Sequence, residues 1–218
     1  MQVNLSSEVA AAGLAPLAFT FTGTNAEDST ALWQSAIAPL IAACPYQAPA
    51  DVAKDPAIAA MRAVYKSLGK DPSRYRPSQE ALWRRIAQGK GLYQVNRAVD
   101  LNNYLSLAFR VSCGLYDRAA LVGPVTLTVG APGESYQGIG KGALALDHLI
   151  VAADDAGPFG SPTSDSRRSL VTPATTDFLL IAYAPRGQVD PSAFTAALTR
   201  LAGQALGSRD VAALAVER

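Results

Sequence analysis

The chain has 218 residues, 49% hydrophobic and 17% charged, with a formal net charge of +1. That is enough apolar chain to bury a full core, near the upper size for one unit, so a single domain spanning 1–218 is the expectation. Two cysteines, Cys44 and Cys113, exclude a disulfide framework or a zinc ribbon and read as buried reduced thiols. A single histidine, His148, would have to serve any catalytic triad, dyad or multi-histidine metal site, and it sits in a strand-like run, Leu146 to Val151. No nucleotide-binding glycine motif occurs, so neither metal nor cofactor is expected. No apolar run approaches the roughly 18 residues needed to span a bilayer, and the first residues lack the pattern of a signal peptide, which places the expected chain in the cytoplasm.

In chain order, Leu17 to Gly23 alternates apolar and polar residues and predicts a half-buried strand. A helix capped by Ser29 should follow, with Trp33, Ile37, Leu40, Ile41 and Cys44 at helical spacing and Pro39 bending it. Pro45 to Pro56 reads as a connector. A second helix carries Ile58, Met61, Val64, Tyr65 and Leu68 on one face and ends at Gly69. Pro77-Ser78-Gln79-Glu80 opens a third, with Leu82 and Ile86 inward, Arg84 and Arg85 outward, and Gly89 as its stop.

Between Arg62 and Arg110 ten basic residues face three acidic ones, a local net charge of +7. Such an excess suits either a phosphate backbone or a solvated helical face. Within it, Val95 to Phe109 as a helix places Leu101, Tyr104, Leu105 and Ala108 on one face and Asn96, Asp100 and Asn103 on another. Asparagine is a mediocre helix former, so this polar stripe points to hydrogen bonding, with a ligand or with a neighbouring loop.

The remainder reads as sheet: Val125 to Val129, a long apolar strand from Gly142 to Ala153, and the continuous run Asp177 to Tyr183. A last helix opens at Asp190-Pro191 and buries Phe194, Ala197, Leu198 and Leu201. Helices followed by strands argue an α+β fold.

Asn96-Arg97-Ala98-Val99-Asp100-Leu101-Asn102-Asn103-Tyr104, followed by Gly114-Leu115-Tyr116-Asp117, resembles the "I-N-x-x-V-D-x-x-N-Y … H-A-F-D" signature of the B3/B4 domain of the phenylalanyl-tRNA synthetase β chain. Tyr75 to Leu82 resembles the "Y-R-P-S-x-E-A-L" lead-in of free-standing B3/4 domain proteins. Ala153 to Gly157 is similar to "A-D-D-x-G", and Thr175 to Leu180 to "T-x-N-V-L-L". The matches span most of Tyr75 to Tyr183. The resemblance implies a mixed sheet or partial barrel flanked by helices. It implies tRNA or aminoacyl-tRNA as partner, or a free amino acid in a sensing or docking variant, and neither membrane nor DNA. The implied activity is hydrolysis of mischarged aminoacyl-tRNA in trans, since the family's domain in the synthetase removes wrongly attached tyrosine. A complete synthetase would need far more chain. Two departures stand out: the family histidine falls on Gly114, and the glycine-rich "G-I-M-G-G-E" segment is replaced by Gly157 to Arg168.

An aminoacyl ester is already activated, so positioning a water and stabilising an oxyanion suffice to hydrolyse it. Glu134 is the candidate base, and Asn96, Asp100, Asn103, Tyr116, Ser166 and Arg167 are candidate substrate contacts. Arg74, Arg76, Arg84 and Arg85 are the candidate RNA contacts. Each also has a structural reading: Glu134 as a turn residue, Asp117 as a helix cap, Tyr116 as core. The sharpest expectation is that Asn96, Asp100 and Asn103 converge with Glu134 and Ser166-Arg167 around one pocket.

Overall fold

The computed structural model describes residues 1–140 and 142–218. It opens with β1 (Val3–Leu5), α1 (Ser7–Ala11) and β2 (Leu17–Thr22). A broken helix follows: α2 (Thr30–Leu32), a π turn (Trp33–Ile37) and α3 (Ala38–Ala42). Then come α4 (Pro49–Val52), α5 (Pro56–Ser67), α6 (Ser78–Ala87) and α7 (Arg97–Ala108). The strands β3 (Ser112–Asp117), β4 (Val125–Val129), β5 (Ser135–Gly138), β6 (Gly142–Ala145), β7 (Ile150–Asp154), β8 (Gly157–Gly160) and β9 (Asp177–Tyr183) form the second half. The chain closes with α8 (Pro191–Leu206), β10 (Ala212–Leu214) and β11 (Val216–Glu217).

Two sheets organise the α+β architecture. One has the order β11-β1-β4-β7-β8, and the other β10-β2-β9-β3, antiparallel throughout; β5 and β6 make a separate hairpin. Among the described residues neither sheet closes into a barrel. The period-2 pattern of β9 divides the core. Leu179, Ile181 and Tyr183 join a cluster with Val3, Leu127, Ile150 and, from α5, Met61 and Tyr65. Phe178, Leu180 and Ala182 join a second cluster with Leu101 and Leu105 of α7 and Phe194, Leu198 and Leu201 of α8. A third joins α4, α6 and α7 through Val52, Trp83, Ile86 and Leu107.

Helix ends follow local chemistry. Asp55 and Asp190 each cap a helix whose first residue is proline, accepting from Ala57 and Ser192 N–H, and Gly207 ends α8 at φ 68°.

Five expectations are corrected. Ser29 makes no capping hydrogen bond; its hydroxyl donates instead to Asp100. Pro39 does not simply bend its helix: it follows a π turn in which Ala38 N–H reaches back to Trp33 C=O, a widening suited to a residue with no N–H to donate. The long strand over 142–153 is two strands, because His148 adopts a left-handed φ of 57° between β6 and β7, with its side chain exposed. On α6 the buried face is Gln79, Glu80, Trp83 and Ile86, while Leu82 is half-buried, because Glu80 is drawn inward by arginines. Of the two thiols, Cys113 is buried and pushed up to about 12 by burial, whereas Cys44 is half-buried; both are free.

Candidate functional site

The residues singled out in the sequence lie on opposite faces of the four-stranded sheet and do not share one pocket. On the α7–α8 face, Asn96 is the N-cap of α7: its Oδ1 accepts from Val99 N–H (2.9 Å) and from Asn25 Nδ2 (3.2 Å). Asn25 also donates to Thr172 C=O and accepts from Ala98 N–H, so it staples the strand-to-helix loop onto α7. Asp100 is 1% exposed and accepts from the Ser29 hydroxyl, Trp33 Nε1 (2.8 Å) and Val95 N–H (3.1 Å). A carboxylate with three donors is well satisfied despite its burial. The stripe therefore braces the fold. The Asn103 side chain is half-buried and makes no hydrogen bond among the described residues, and it is Asn102 that donates to Cys113 C=O (3.1 Å).

The opposite face carries a denser polar cluster. Alternation along β3 turns Gly114 and Tyr116 toward the inter-sheet core and Cys113 and Leu115 toward the helices. Tyr116 is fully buried, edge-on to Phe159 with ring centroids 4.8 Å apart. Its hydroxyl donates to Asp165 Oδ1 at 2.9 Å and lies 2.6 Å from the Tyr183 hydroxyl. With that proton committed to Asp165, Tyr183 is the donor to Tyr116. Ser161 N–H also donates to Asp165 Oδ1 (3.3 Å), whereas Oδ2 has no protein partner among the described residues.

Burial pushes the Asp165 carboxyl up to about 7, against the lowering effect of the Tyr116 and Ser161 hydrogen bonds. Burial first, and then the Asp165 charge, raise Tyr116 and Tyr183 far above the usual phenol range. Because folded Asp165 holds a proton that the unfolded chain releases, its contribution to stability is present below about pH 4 and is lost as pH rises to about 7. Urea midpoints should therefore fall across that window in the native chain and fall less in Asp165→Asn. Equal slopes in the two proteins would contradict the assignment.

The glycines explain why the cluster fits. A Cβ at Gly114 would stand 1.9 Å from Tyr116 Oη, and one at Gly160 2.2 Å from it. The phenol thus fills the space that a side chain at 114 would take.

The β5–β6 hairpin packs over this cluster: Ile139 N–H donates to Asp165 C=O, and Tyr136 donates to Ser164 C=O (2.5 Å). Glu134, just before the hairpin, accepts from Ala131 N–H and so takes the turn role. Ser166 is buried and caps a short 3-10 turn through Arg168 N–H, while Arg167 is exposed. Arg168, not Arg167, is the anchored arginine, bidentate on Asp154 at 2.8 and 3.0 Å. Asp117 caps the 3-10 turn after β3 through Ala119 N–H. Of the four arginines expected to meet RNA, Arg76 and Arg84 converge with Arg62 on buried Glu80 (3.5, 3.8 and 2.9 Å). Arg74 is exposed, and Arg85 lies 4.0 Å above the ring centroid of exposed Tyr93.

A family model described as "B3/4 domain" matches residues 60–203. The chain belongs to the B3/4 domain family. Over 125 residues it is 34% identical to the phenylalanine–tRNA ligase beta subunit of Thermobifida fusca (strain YX), a match covering 56% of this chain and 14% of that protein. In fold it is similar to an N-terminal fragment of the phenylalanyl-tRNA synthetase beta-subunit from Pyrococcus horikoshii, with a TM-score of 0.52 and 11% identity over 99% of this chain and 50% of that one. The chain thus spans a small part of its curated relative. The space over Gly114 is filled by the hydroxyl of Tyr116, two residues along the same strand. Asp165 and Tyr183 escaped the sequence reading. A tyrosine at an inward position of β9, in register with the inward positions of β3, was the available signal. No helix among the described residues is long and apolar enough to cross a membrane.

Proposed function

We propose that this B3/4 domain binds aminoacyl-tRNA and hydrolyses the aminoacyl ester in trans, with Asp165 and Tyr116 at the reacting centre. The observation that carries the reading is a carboxyl near neutrality, one oxygen hydrogen-bonded and the other without a protein partner, beneath a phenol in the space over Gly114. A base is most effective when its pKa lies near the working pH. In the proposed step Asp165 Oδ2 takes a proton as water attacks the ester carbonyl. The bond to the ribose oxygen breaks, and the proton passes to that oxygen as it leaves. Tyr116, its one proton on Asp165 Oδ1 and its oxygen held by the Tyr183 hydroxyl, keeps the carboxyl oriented so that Oδ2 faces the water. The step requires the β5–β6 hairpin to lift from Asp165.

Exposed Arg74, and Arg85 stacked on the face of Tyr93, are the proposed RNA contacts. The test is deacylation of mischarged tRNAs by the intact chain at low and high salt. Expected are turnover above the spontaneous rate, at least a tenfold loss in Asp165→Asn, and tRNA affinity falling steeply with salt. A second reading, a non-catalytic binding module, draws on the complete burial of Tyr116 and Tyr183. Salt-sensitive tRNA binding with spontaneous deacylation rates would establish it in place of the first.

A further inference from the structure

An open cavity lies away from the Tyr116–Asp165 centre. It lies on the α7–α8 side, walled by α2, the π turn, the start of α7 and the second half of α8, with a volume of about 340 Å³. Its floor is apolar: Leu32 and Leu201 are buried and Ala36 is half-buried. Its charged groups are Asp28, Arg97 and Arg200.

Neither guanidinium has a carboxylate partner among the described residues. Arg97 uses Nε on Asp28 C=O (2.7 Å), and Arg200 reaches only Gln204 Oε1 (3.2 Å). Two arginine forks on one cavity match the planar, two-oxygen geometry of a carboxylate or phosphate. The floor decides between them, since a bare inorganic anion would leave the leucines in water while a short hydrocarbon body would cover them.

We propose that this cavity binds a small organic carboxylate with an aliphatic body, its carboxylate held by Arg97 and Arg200 and its tail on Leu32 and Leu201. The site is built on fixed parts. The buried Asp100 ties Ser29 and Trp33 together beneath it, and the π turn allows Trp33 to reach Asp100 while Ala36 still faces the cavity. Two sources share this chemistry. A plain aliphatic acid would use the arginines alone. A free apolar amino acid would also offer an ammonium to Asp28, whose carboxylate is kept in its charged form by Thr30 N–H above all.

The proposal is independent of the hydrolytic reading, and its test needs no tRNA. The intact chain is titrated calorimetrically with 4-methylpentanoate, leucine, leucinol and inorganic phosphate. Expected is a dissociation constant on the order of 1 mM or tighter for at least one of the first two, with leucinol and phosphate at least tenfold weaker. Arg200→Gln, on an exposed side chain that tethers no other element, should weaken the carboxylate at least tenfold with an unchanged melting temperature; Arg97→Gln should weaken it as much but also lower the melting temperature, since its Nε holds Asp28 C=O. Tighter binding of leucine than of 4-methylpentanoate supports the amino-acid source, and the reverse order supports the plain acid. Absence of binding at about 10 mM, equal affinity for leucinol or phosphate, or indifference to Arg200→Gln would overturn it.

Discussion

Truncating Glu80 to alanine should lower the unfolding free energy by about 3 kcal/mol, a fall of roughly 6–12 °C in melting temperature for a chain of this size. Glu80 is fully buried on α6, and Arg62, Arg76 and Arg84 all lie within ion-pair distance of its carboxylate. Arg62 donates to both carboxylate oxygens and also to Ser73, so this side chain ties α5, the loop before α6 and α6 together. Removing the carboxylate leaves three like charges facing one another over a void. Their partial exposure lets them turn toward water, which keeps the expected loss at the lower end of the range for a broken buried pair. Glu80→Gln, which retains the shape and some hydrogen bonds, should lose less. Chemical denaturation measures both, and equal stability of Glu80→Ala and the native chain would mean that the arginines, not the carboxylate, hold α6 in place.

Gly114→Ala should be still more damaging, by about 3 kcal/mol or more, although it adds a single methyl group. The new carbon would fall 1.9 Å from Tyr116 Oη and 2.5 Å from Cζ. Tyr116 cannot swing aside, because Phe159 lies across its ring, Gly160 closes from the other side, and Asp165 and Tyr183 hold its hydroxyl. Removing only the hydroxyl, in Gly114→Ala/Tyr116→Phe, leaves the Cζ contact and should rescue little. Gly114→Ala/Tyr116→Ala opens the space and should be less unstable than the sum of the two single changes. Denaturant midpoints of the four proteins complete the cycle; strict additivity would show that Tyr116 does not own the space over Gly114.

Much of the architecture was legible in the residue order. The alternation of Leu17 to Thr22, the apolar run Asp177 to Tyr183 and the capped helices α5, α7 and α8 are local signals, set by backbone period and by side chains that satisfy the nearest N–H groups. The short strands β1, β10 and β11 left no such signal, because two or three residues carry no period and become strands only by pairing with distant partners. The break at His148 was hidden for the complementary reason: its flanks are apolar enough for one strand, and the left-handed turn is imposed by packing in two directions.

The site divides along the same line. The family signature was written in the sequence because its residues cap, staple and turn the chain, as Asn96, Asp100, Asp117 and Asp154 do. Which polar residues meet was not, because the four-stranded sheet stands between the Asn96–Asp100 network and the Tyr116–Asp165–Tyr183 cluster, and spacing along the chain does not report which face of a sheet a loop returns to. Composition and periodicity determined that this chain buries a core of helices packed on strands. Only the tertiary structure decided that a glycine on β3 would be filled by a phenol from its own strand, that a carboxyl 49 residues away would meet it at 2.9 Å, and that burial would carry this carboxyl toward neutrality, since hydrogen bonds and desolvation depend on distances that exist only after the sheets have closed on one another.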